Sequence, residues 1–209
     1  MTRAFTEIAF TPTVLAEQER QGSARAYRAI MAPGAEPADR LGLAEARFVA
    51  ARDGFYQATV SETGWPYVQF RGGPVGFLKV VDEKTLAYAD FRGNRQYLSV
   101  GNLKADDRVA LFLMDYPNRR RLKIWGRARL IDLADNPDLV ASLHDPAYEA
   151  RPERAVVITV AAFDWNCQKH IPSRLTLDEL EFHLSPIRDE LNTLRAENAA
   201  LKERLAATA

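Results

Sequence analysis

Arginine-rich turns are the part of this sequence whose residue types and spacing could do chemistry. The clearest is the segment Asp90–Arg95, DFRGNR, which follows an apolar run and precedes a predicted helix at Asn94–Lys104. At a helix start, unpaired backbone N–H groups and the helix dipole favour an anion, and Arg92 and Arg95 add two guanidinium groups. The segment therefore predicts phosphate binding. An arginine-rich turn without a ligand is the alternative.

Two further features of this region indicate a flat ligand. The Arg71–Pro74 turn, RGGP, contains two glycines, which let a planar group approach the backbone closely. The same glycines also suit a β-bulge at a barrel corner, and both interpretations can hold. Trp65, Phe77 and Trp165 could face a planar ring, although aromatic side chains more often pack in a core. The cations around the central strands are Arg71, Lys79, Arg92, Arg95, Arg119, Arg120, Arg121 and Lys123.

Other kinds of site are not indicated. His144, His170 and His183 lack metal-ligand spacing, so no metal is expected. No nucleophile elbow, phosphate loop of the Gly-Lys-Ser/Thr kind or dinucleotide fingerprint is present. The single cysteine, Cys167, excludes an internal disulfide, and such a residue is more often a small buried hydrophobe than a catalytic group.

Composition limits the partners and the size of the fold. The 209 residues, 47% of them apolar, suit one domain with a full core and an appendage. Lys+Arg and Asp+Glu are equal at 28 each, so no overall field attracts nucleic acid or an anionic membrane. No apolar run approaches the roughly 20 residues of a membrane-spanning helix. Met1–Phe10 lacks the layout of a secretory signal, so a cytoplasmic protein is expected.

The elements that would position the arginines are mostly short strands. Thr11–Met31, capped by Thr11, and Leu41–Arg52 are predicted helices that precede them, and Asn136–Leu143 is a later one. The strand Arg108–Met114 is almost wholly apolar, which predicts burial on both faces. Strands are predicted at Phe55–Glu62, Trp65–Phe70, Gly76–Val81, Thr85–Asp90, Arg108–Met114, Leu122–Ile131 and Ala155–Phe163. Six or seven strands in hairpin order predict an antiparallel barrel in an α+β domain.

The C-terminal segment has a different pattern. Ser185 is the predicted cap and Pro186 the first residue of a helix with apolar residues at alternating spacings of four and three. The seam consists of Ile187, Leu191, Leu194, Asn198, Leu201 and Leu205. A single Asn inside such a seam favours a parallel two-stranded coiled coil, and packing of the leucines on the barrel is the alternative.

Three segments carry a resemblance to a known family: GWPYVQFRGGPVGFLKV from Gly64, YADFRGNRQY from Tyr88 and DYPNRRRLKIWGRARL from Asp115. Over roughly Phe48–Trp165 the chain resembles the pyridoxamine 5′-phosphate oxidase-like family of FMN-binding split barrels, and within it a bacterial oxidase-like branch. The resemblance implies a six-stranded antiparallel split β-barrel with flanking helices. It also implies a homodimer with one FMN at each end of the subunit interface. The expected division is an N-terminal helical extension at 1–40, the FMN-binding domain at 41–175 and a C-terminal helix at 176–209.

The same resemblance implies roles for individual residues. The phosphate would bind Arg95 beside Asn94, where the family has an Arg-Lys pair, and Arg71 or Arg92 would supply the missing charge. Arg121 stands where the family has Gln near the flavin, and a cation there would raise the flavin's potential. The strand whose backbone lines the isoalloxazine ring matches Val75, Gly76, Phe77, Leu78 and Lys79. Tyr88, Ala89 and Trp165 match positions beside the cofactor, although Ala89 lacks the family's hydroxyl.

The resemblance implies an FMN-dependent oxidoreductase acting on a small molecule, with NADH or NADPH as a candidate electron donor. Lys79 and His170 are the candidates to orient substrate, and no side chain is assigned as acid or base. The stretch 166–174 lacks the family's Arg-x-His signature in the same form, which argues against pyridoxamine phosphate as the substrate. The alternatives are a redox carrier or sensor that binds flavin, haem or deazaflavin without turnover, and an adaptor that acts through its C-terminal helix.

Overall fold

A computed structural model describes residues 3–28, 30–31, 39–165 and 169–207. Within these residues the chain forms two compact units. One unit runs to Asp115 and continues from Arg119 to Lys169, and the other combines Tyr116–Asn118 with the segment from His170 onward. The first unit contains one antiparallel sheet and separate helices that pack against it, which confirms the predicted α+β class. The domain limits at 40/41 and 175/176 stay predictions.

The first unit is built on a seven-stranded antiparallel sheet with the order β2-β1-β5-β6-β7-β4-β3. Strands β2 and β3 lie at its two edges, as in an open, split barrel. The sheet has one strand more than the six that the family resemblance implied. The strands are β1 Gly54–Val60, β2 Pro66–Gly72, β3 Lys79–Asp82, β4 Thr85–Phe91, β5 Arg108–Asp115, β6 Arg120–Asp132 and β7 Pro152–Trp165.

Helices flank this sheet and form most of the second unit. The predicted helix at Asn136–Leu143 is confirmed, because Asn136 caps it with its side-chain oxygen, which accepts a hydrogen bond from the Leu139 N–H. The described helices are α1 Arg3–Ala9, α2 Pro12–Arg20, α3 Ala24–Tyr27, α4 Leu43–Ala50, α5 Leu98–Ala105, α6 Pro137–Leu143 and α7 Leu177–Ala207. None of the helices in the described part of the chain is long and apolar enough to cross a membrane.

The core lies between the inner faces of the strands. Leu122 and Ile124 of the alternating strand β6 are fully buried, as their two-residue period predicts. Phe55, Phe77 and Tyr88 meet there as an aromatic cluster with ring centroids 5.4–6.3 Å apart. The Tyr88 hydroxyl donates to Gln57 Oε1 at 2.7 Å, and burial raises the pKa of Tyr88, so the hydroxyl stays a donor.

Strand β4 is buried on both faces. The prediction that β5 is buried on both faces is wrong. Five consecutive β4 residues, from Leu86 to Asp90, are buried, because the core covers one face and helix α6 packs on Ala87 and Ala89 on the other. In β5, buried residues alternate with half-buried ones such as Phe112. The reason is that the second face of β5 forms part of the outer surface of the sheet, where no helix covers it within the described residues.

A glycine marks the irregular point of the sheet. The pairing of β6 with β7 shifts register between Trp125 and Gly126. A Cβ at Gly126 would meet the Thr159 carbonyl oxygen at 2.6 Å and Ile158 at 2.7 Å. Only glycine fits so close to the neighbouring strand, which lets the long strands β6 and β7 bend around the core.

Several predicted boundaries are wrong. The expected helix Thr11–Met31 is divided into α2 and α3, because Gly22 adopts a left-handed φ of 72° between them. Helix α5 begins at Leu98 and not at Asn94. The predicted strand Gly76–Val81 begins only at Lys79, since Val75 and Gly76 form a turn that the Phe77 N–H closes on the Pro74 carbonyl. Helix α1 was not predicted.

Helix α7 also begins earlier than the sequence indicated. Thr176 and Glu179 form a reciprocal capping box, in which the Thr176 hydroxyl accepts from the Glu179 N–H at 3.2 Å and Glu179 accepts from the Thr176 N–H at 2.8 Å. The helix runs through Pro186, which lies inside it and does not start it. No residue within Leu177–Ala207 is buried.

Candidate functional site

A polar cavity of about 210 Å³ lies where the end of β4 meets the start of α5. Strand β2 contributes one wall and the start of β7 another. The wall contains three guanidinium groups and two carboxylates, so its net charge is positive. The lining residues are Gln69, Arg71, Asp90, Phe91, Gly93, Asn94, Arg95, Tyr97, Ser99, Val100, Glu153 and Arg154.

A buried carboxylate organises the floor of this cavity. Asp90, 4% exposed, accepts a hydrogen bond from Arg71 Nη1 at 2.6 Å on one oxygen and from Arg154 Nη1 at 2.8 Å on the other. Burial alone would lower the pKa of Arg154, but its hydrogen bonds to Asp90 and Asp132 outweigh that effect and leave the pKa raised. Asp90 therefore holds two arginines in fixed orientations at the base of the site.

The loop between β4 and α5 forms the rim. Arg95 and Tyr97 both have left-handed backbone, with φ of 64° and 55°, which is uncommon for residues other than glycine. Asn94 Oδ1 accepts from the Gln96 N–H at 3.1 Å and stabilises the turn between them. Such strain persists where the surroundings over-determine the backbone, and it is frequent at binding sites.

The two arginines of the rim, Arg92 and Arg95, differ in whether a carboxylate lies near them. Arg92 Nε lies 3.9 Å from Glu153 Oε1, and Tyr97 donates its hydroxyl to the same carboxylate oxygen at 3.2 Å. Within the part of the chain that the structure describes, the exposed Arg95 guanidinium has no hydrogen-bond or ion-pair partner. Arg95 is therefore the cation at this cavity that remains free to meet an anion.

The start of α5 adds backbone donors to the same cavity. The N–H groups of the first helical turn have no intrahelical partners, as in any α-helix. Tyr97, which precedes the helix, does not cap them with its side chain. Ser99 and Val100 of that turn line the cavity, and the Ser99 hydroxyl donates to Gln69 Oε1 at 2.9 Å. The helix dipole thus favours an anion here, one turn later than the sequence indicated.

The donor set fits a phosphate group. Arg71 Nε is buried and has no hydrogen-bond partner among the described residues, and a buried unpaired donor is costly unless a ligand satisfies it. A Cβ built on Gly93 would meet nothing within 4 Å, so the rim leaves open space. The cavity is smaller than the about 300–1,000 Å³ of pockets that enclose a whole ligand. It suits the charged end of a larger molecule.

Comparison with known proteins identifies the family. Residues 44–166, more than half of the chain, match the sequence model described as pyridoxamine 5′-phosphate oxidase. The chain belongs to this family. The match includes all seven strands and runs from the second residue of α4 to the residue after the end of β7. No curated protein matches the chain.

Solved structures with similar backbones are distant in sequence. An FMN-binding protein from Syntrophomonas wolfei is 15% identical, with a TM-score of 0.47, covering 71% of this chain and 97% of its own. HupZ from Group A Streptococcus is 13% identical, with a TM-score of 0.49 and coverages of 64% and 100%. An FAD-binding protein from Mesorhizobium loti is 16% identical, with a TM-score of 0.42 and coverages of 60% and 94%.

The segment expected to line the isoalloxazine ring in this oxidase family has mixed exposure. Val75 is 70% exposed and Lys79 is exposed at the start of β3, whereas the side chains of Phe77 and Leu78 are in the core. The Gly76 N–H donates to the Arg52 carbonyl at 2.8 Å and the Phe77 N–H to Pro74 at 2.9 Å. These two N–H groups are therefore occupied within the chain.

The remaining expected residues lie apart from the cavity. Tyr88 and Ala89 are buried on opposite faces of β4, one in the main core and one under α6. Arg121 places its guanidinium carbon 4.9 Å from the Phe112 ring centroid, and its buried Nε lacks a partner among the described residues. Trp165 Nε1 donates to Glu45 Oε1 at 2.7 Å.

Two further residues singled out in the sequence, His170 and Cys167, are not part of the first unit as described. His170 belongs to the second unit, where it has a left-handed φ of 64°. Cys167 lies outside the described residues, as does most of the segment between Trp165 and His170.

Sequence reasoning missed most of the cavity's polar network. Gln69, Ser99, Glu153 and Arg154 were not candidates, because none stands in a local motif. One signal was available for Arg154: it is directly opposite Asp90 in the pairing of β4 with β7, and opposite charges favour such cross-strand positions. That register becomes visible only once the strands are paired.

Proposed function

We propose that the protein is a homodimeric FMN-dependent oxidoreductase that acts on a small molecule. The observation that carries the proposal is the cavity at the start of α5, where the free Arg95 guanidinium, the unpaired Arg71 Nε and the uncapped helix N-terminus converge. The family match supports a flavin as the ligand. In this proposal the cavity holds the phosphate of FMN.

A second copy would complete the cofactor site. The cavity in one chain encloses only a small group, so the ring end of FMN needs another surface to cover it. The outer face of the sheet offers one, since one apolar row crosses strands β2, β1 and β5, and a second crosses the same strands and reaches β6, where Phe5 of α1 stacks on Trp125. Paired positions in these rows are Phe70, Tyr56, Phe112 and Val68, Ala58, Ala110, Trp125. Phe70 is 57% and Val68 58% exposed, which favours an interface on this face.

In the proposed complex each part of the chain has a separate task. Arg95, Arg71 and the first turn of α5 bind the phosphate, and Asp90 and Arg154 keep Arg71 in place. Bound FMN would supply the hydride or electron transfer. Lys79 and His170 are proposed to orient the substrate, and NADH or NADPH is the proposed electron donor. No described side chain is needed as an acid or base.

Removal of the free guanidinium tests the phosphate anchor. Arg95→Ala should weaken FMN binding at least about tenfold, because a hydrogen bond to a charged group contributes about 1.5–3 kcal/mol. Arg108→Ala is the matched control: this exposed arginine pairs with Asp106, away from the cavity, and its loss should leave FMN affinity unchanged. Binding is measured by fluorescence quenching of FMN. Equal affinity of the two variants would contradict the anchor, and a haem spectrum in the purified protein would contradict the cofactor.

Turnover separates an enzyme from a carrier. Under anaerobic conditions the FMN-loaded protein should lose its flavin absorption bands when NADH or NADPH is added. Addition of a small oxidised acceptor should then restore the absorption over many cycles. Reduction without catalytic reoxidation by any acceptor would favour the carrier or sensor.

Arg121 offers a test of the electrostatic environment. Its side chain lies on Phe112 in the outer face of the sheet, and a cation there should favour the more negatively charged form of a nearby flavin. Arg121→Gln should therefore lower the midpoint potential of bound FMN in a redox titration. An unchanged potential would show that Arg121 is not close to the ring.

A further inference from the structure

Helix α7 exposes a continuous apolar seam over its whole length. The alternating spacing of four and three extends back from Ile187 to Leu184, Leu180 and Leu177, because the helix begins well before the proline. The 31 residues span about 46 Å, more than four heptads. Leu177 is 84% and Leu205 69% exposed. In heptad terms Leu177, Leu184, Leu191, Asn198 and Leu205 occupy position a.

We propose that α7 forms a parallel, in-register, two-stranded coiled coil with α7 of a second copy of this chain. The proposal is independent of the flavin site, since it depends only on this helix. Asn198 is the one polar residue of the seam. In a parallel, in-register pair it faces Asn198 of the second copy and the two amides can bond, whereas in other registers it faces leucine.

The charges beside the seam also favour a parallel, in-register pair with α7 of a second copy. Position e carries Glu181, Arg188, Arg195 and Lys202, and position g carries His183, Glu190, Glu197 and Arg204. In a parallel pair, position g faces position e of the next heptad in the other helix. Glu190 then meets Arg195 of the second copy, and Glu197 meets Lys202, which makes four attractive pairs across the two-fold axis.

An antiparallel arrangement is disfavoured by the same residues. It would place position e against e and g against g. In the fully overlapped register Arg188 would meet Arg195 and Glu190 would meet Glu197, and both contacts repel, whereas Glu181 with Lys202 alone would attract. It would also place Asn198 opposite the aliphatic side chain of Ile187. The charge pattern therefore specifies a copy of this helix in one orientation.

Pro186 is compatible with this arrangement. It occupies position c, on the side of the helix away from the seam. Its missing N–H removes one backbone hydrogen bond of the helix without placing a polar group at the interface. Beside the seam, at position e, Arg188 donates to Glu181 one heptad earlier on the same helix at 2.6 Å, across the proline. The seam keeps its register through the proline.

Cysteine cross-linking of the full chain tests the seam, with Cys167 replaced by Ser so that only the new thiol reacts. In this background Leu205→Cys, at position a, should form a disulfide-linked dimer at least about tenfold faster than Ala206→Cys, at position b, which points away. This contrast holds whether or not the barrels also dimerise, because a barrel dimer alone does not distinguish the two positions. Equal rates, or no cross-link at Leu205→Cys, would overturn the proposal.

Orientation is tested by mixing two differently tagged chains. Two chains with Leu177→Cys should form a disulfide with each other, and so should two chains with Leu205→Cys. A Leu177→Cys chain should not link to a Leu205→Cys chain. Preferential linkage between the two would mean an antiparallel pair and would overturn the proposal.

Charge reversal tests the specificity. In the Leu205→Cys background, the pair Glu190→Lys and Glu197→Lys, or the pair Arg195→Glu and Lys202→Glu, should slow self-linkage about tenfold, because the four attractive g–e contacts become repulsive. A mixture of the two charge variants should recover the rate through mixed dimers. All four positions are exposed, so far-UV circular dichroism should stay unchanged. Failure of the mixture to recover would contradict the assigned pairing.

Discussion

The barrel unit and the C-terminal helix use the same residue types in opposite ways. Leu113 of β5 is fully buried, whereas Leu194 of α7 is 53% exposed. Charges differ as well: Asp90 is buried between two arginines, whereas the Glu181–Arg188 pair of α7 is exposed. The barrel buries most of its leucines within one chain, whereas no residue of α7 is buried, and in the proposal above its leucines would be covered by a second copy. Leucines at regular spacing therefore indicate a core in one region and an interface in the other.

The largest expected effect separates these two kinds of leucine. Leu113→Ala should lower the free energy of unfolding of the barrel by about 4 kcal/mol, because it leaves a cavity in a packed core. Leu194→Ala should leave the barrel's unfolding unchanged and weaken only the association of α7. Chemical denaturation followed by barrel tryptophan fluorescence measures both. A similar loss in the two variants would break the comparison.

Asp90 extends the comparison to charges. Asp90→Asn should lower the free energy of unfolding by about 3 kcal/mol, because two largely buried guanidinium groups lose their shared carboxylate. Glu181→Gln in α7 is the control and should cost almost nothing, since exposed pairs contribute little. Urea denaturation measures both. Asp90→Asn should also weaken FMN binding, and unchanged affinity would show that Arg71 does not need its partner.

Tyr88 tests whether the β4 core is separate from the site. Tyr88→Phe should lower the free energy of unfolding by about 2 kcal/mol, because the Gln57 side-chain oxygen then loses the Tyr88 hydroxyl as its donor at a fully buried position. FMN affinity should not change, as the hydroxyl points into the core. A large loss of FMN affinity without loss of stability would instead place Tyr88 beside the cofactor.

The smallest effect concerns an exposed ion pair of the barrel, which should behave like those of α7. A hydrogen bond from Arg108 lowers the pKa of Asp106 to about 2. Because this pKa lies below the unfolded value of about 4, the stabilisation is present above pH 4 and is lost as the pH falls towards 2. The small difference in Tm between the wild type and Asp106→Asn should thus shrink from pH 6 to pH 2.5. A constant difference would contradict this assignment.

Much of the fold could be predicted from local patterns. The alternation in Leu122–Ile131 placed β6, and the adjacent predicted strands Phe55–Glu62 and Trp65–Phe70 placed the β1–β2 hairpin; the structure confirms both. Helix ends were less predictable. The helix after β4 was expected at Asn94, but the left-handed backbone of Arg95 and Tyr97 delays it to Leu98. Nothing in the local composition specifies those two φ values.

The sequence by itself determined the strand periodicity, the heptad seam of α7 and the arginine-rich turn at Asp90–Arg95. These are local properties, since residues two, three or four positions apart share a face of a strand or helix whatever the rest of the chain does. Only the tertiary structure decided that Arg71 and Arg154 share the carboxylate of Asp90, that β4 is the strand buried on both faces, and that α5 directs its first turn at the cavity. Those contacts join residues 19 and 64 positions apart, and the pairing register of the sheet brings them together.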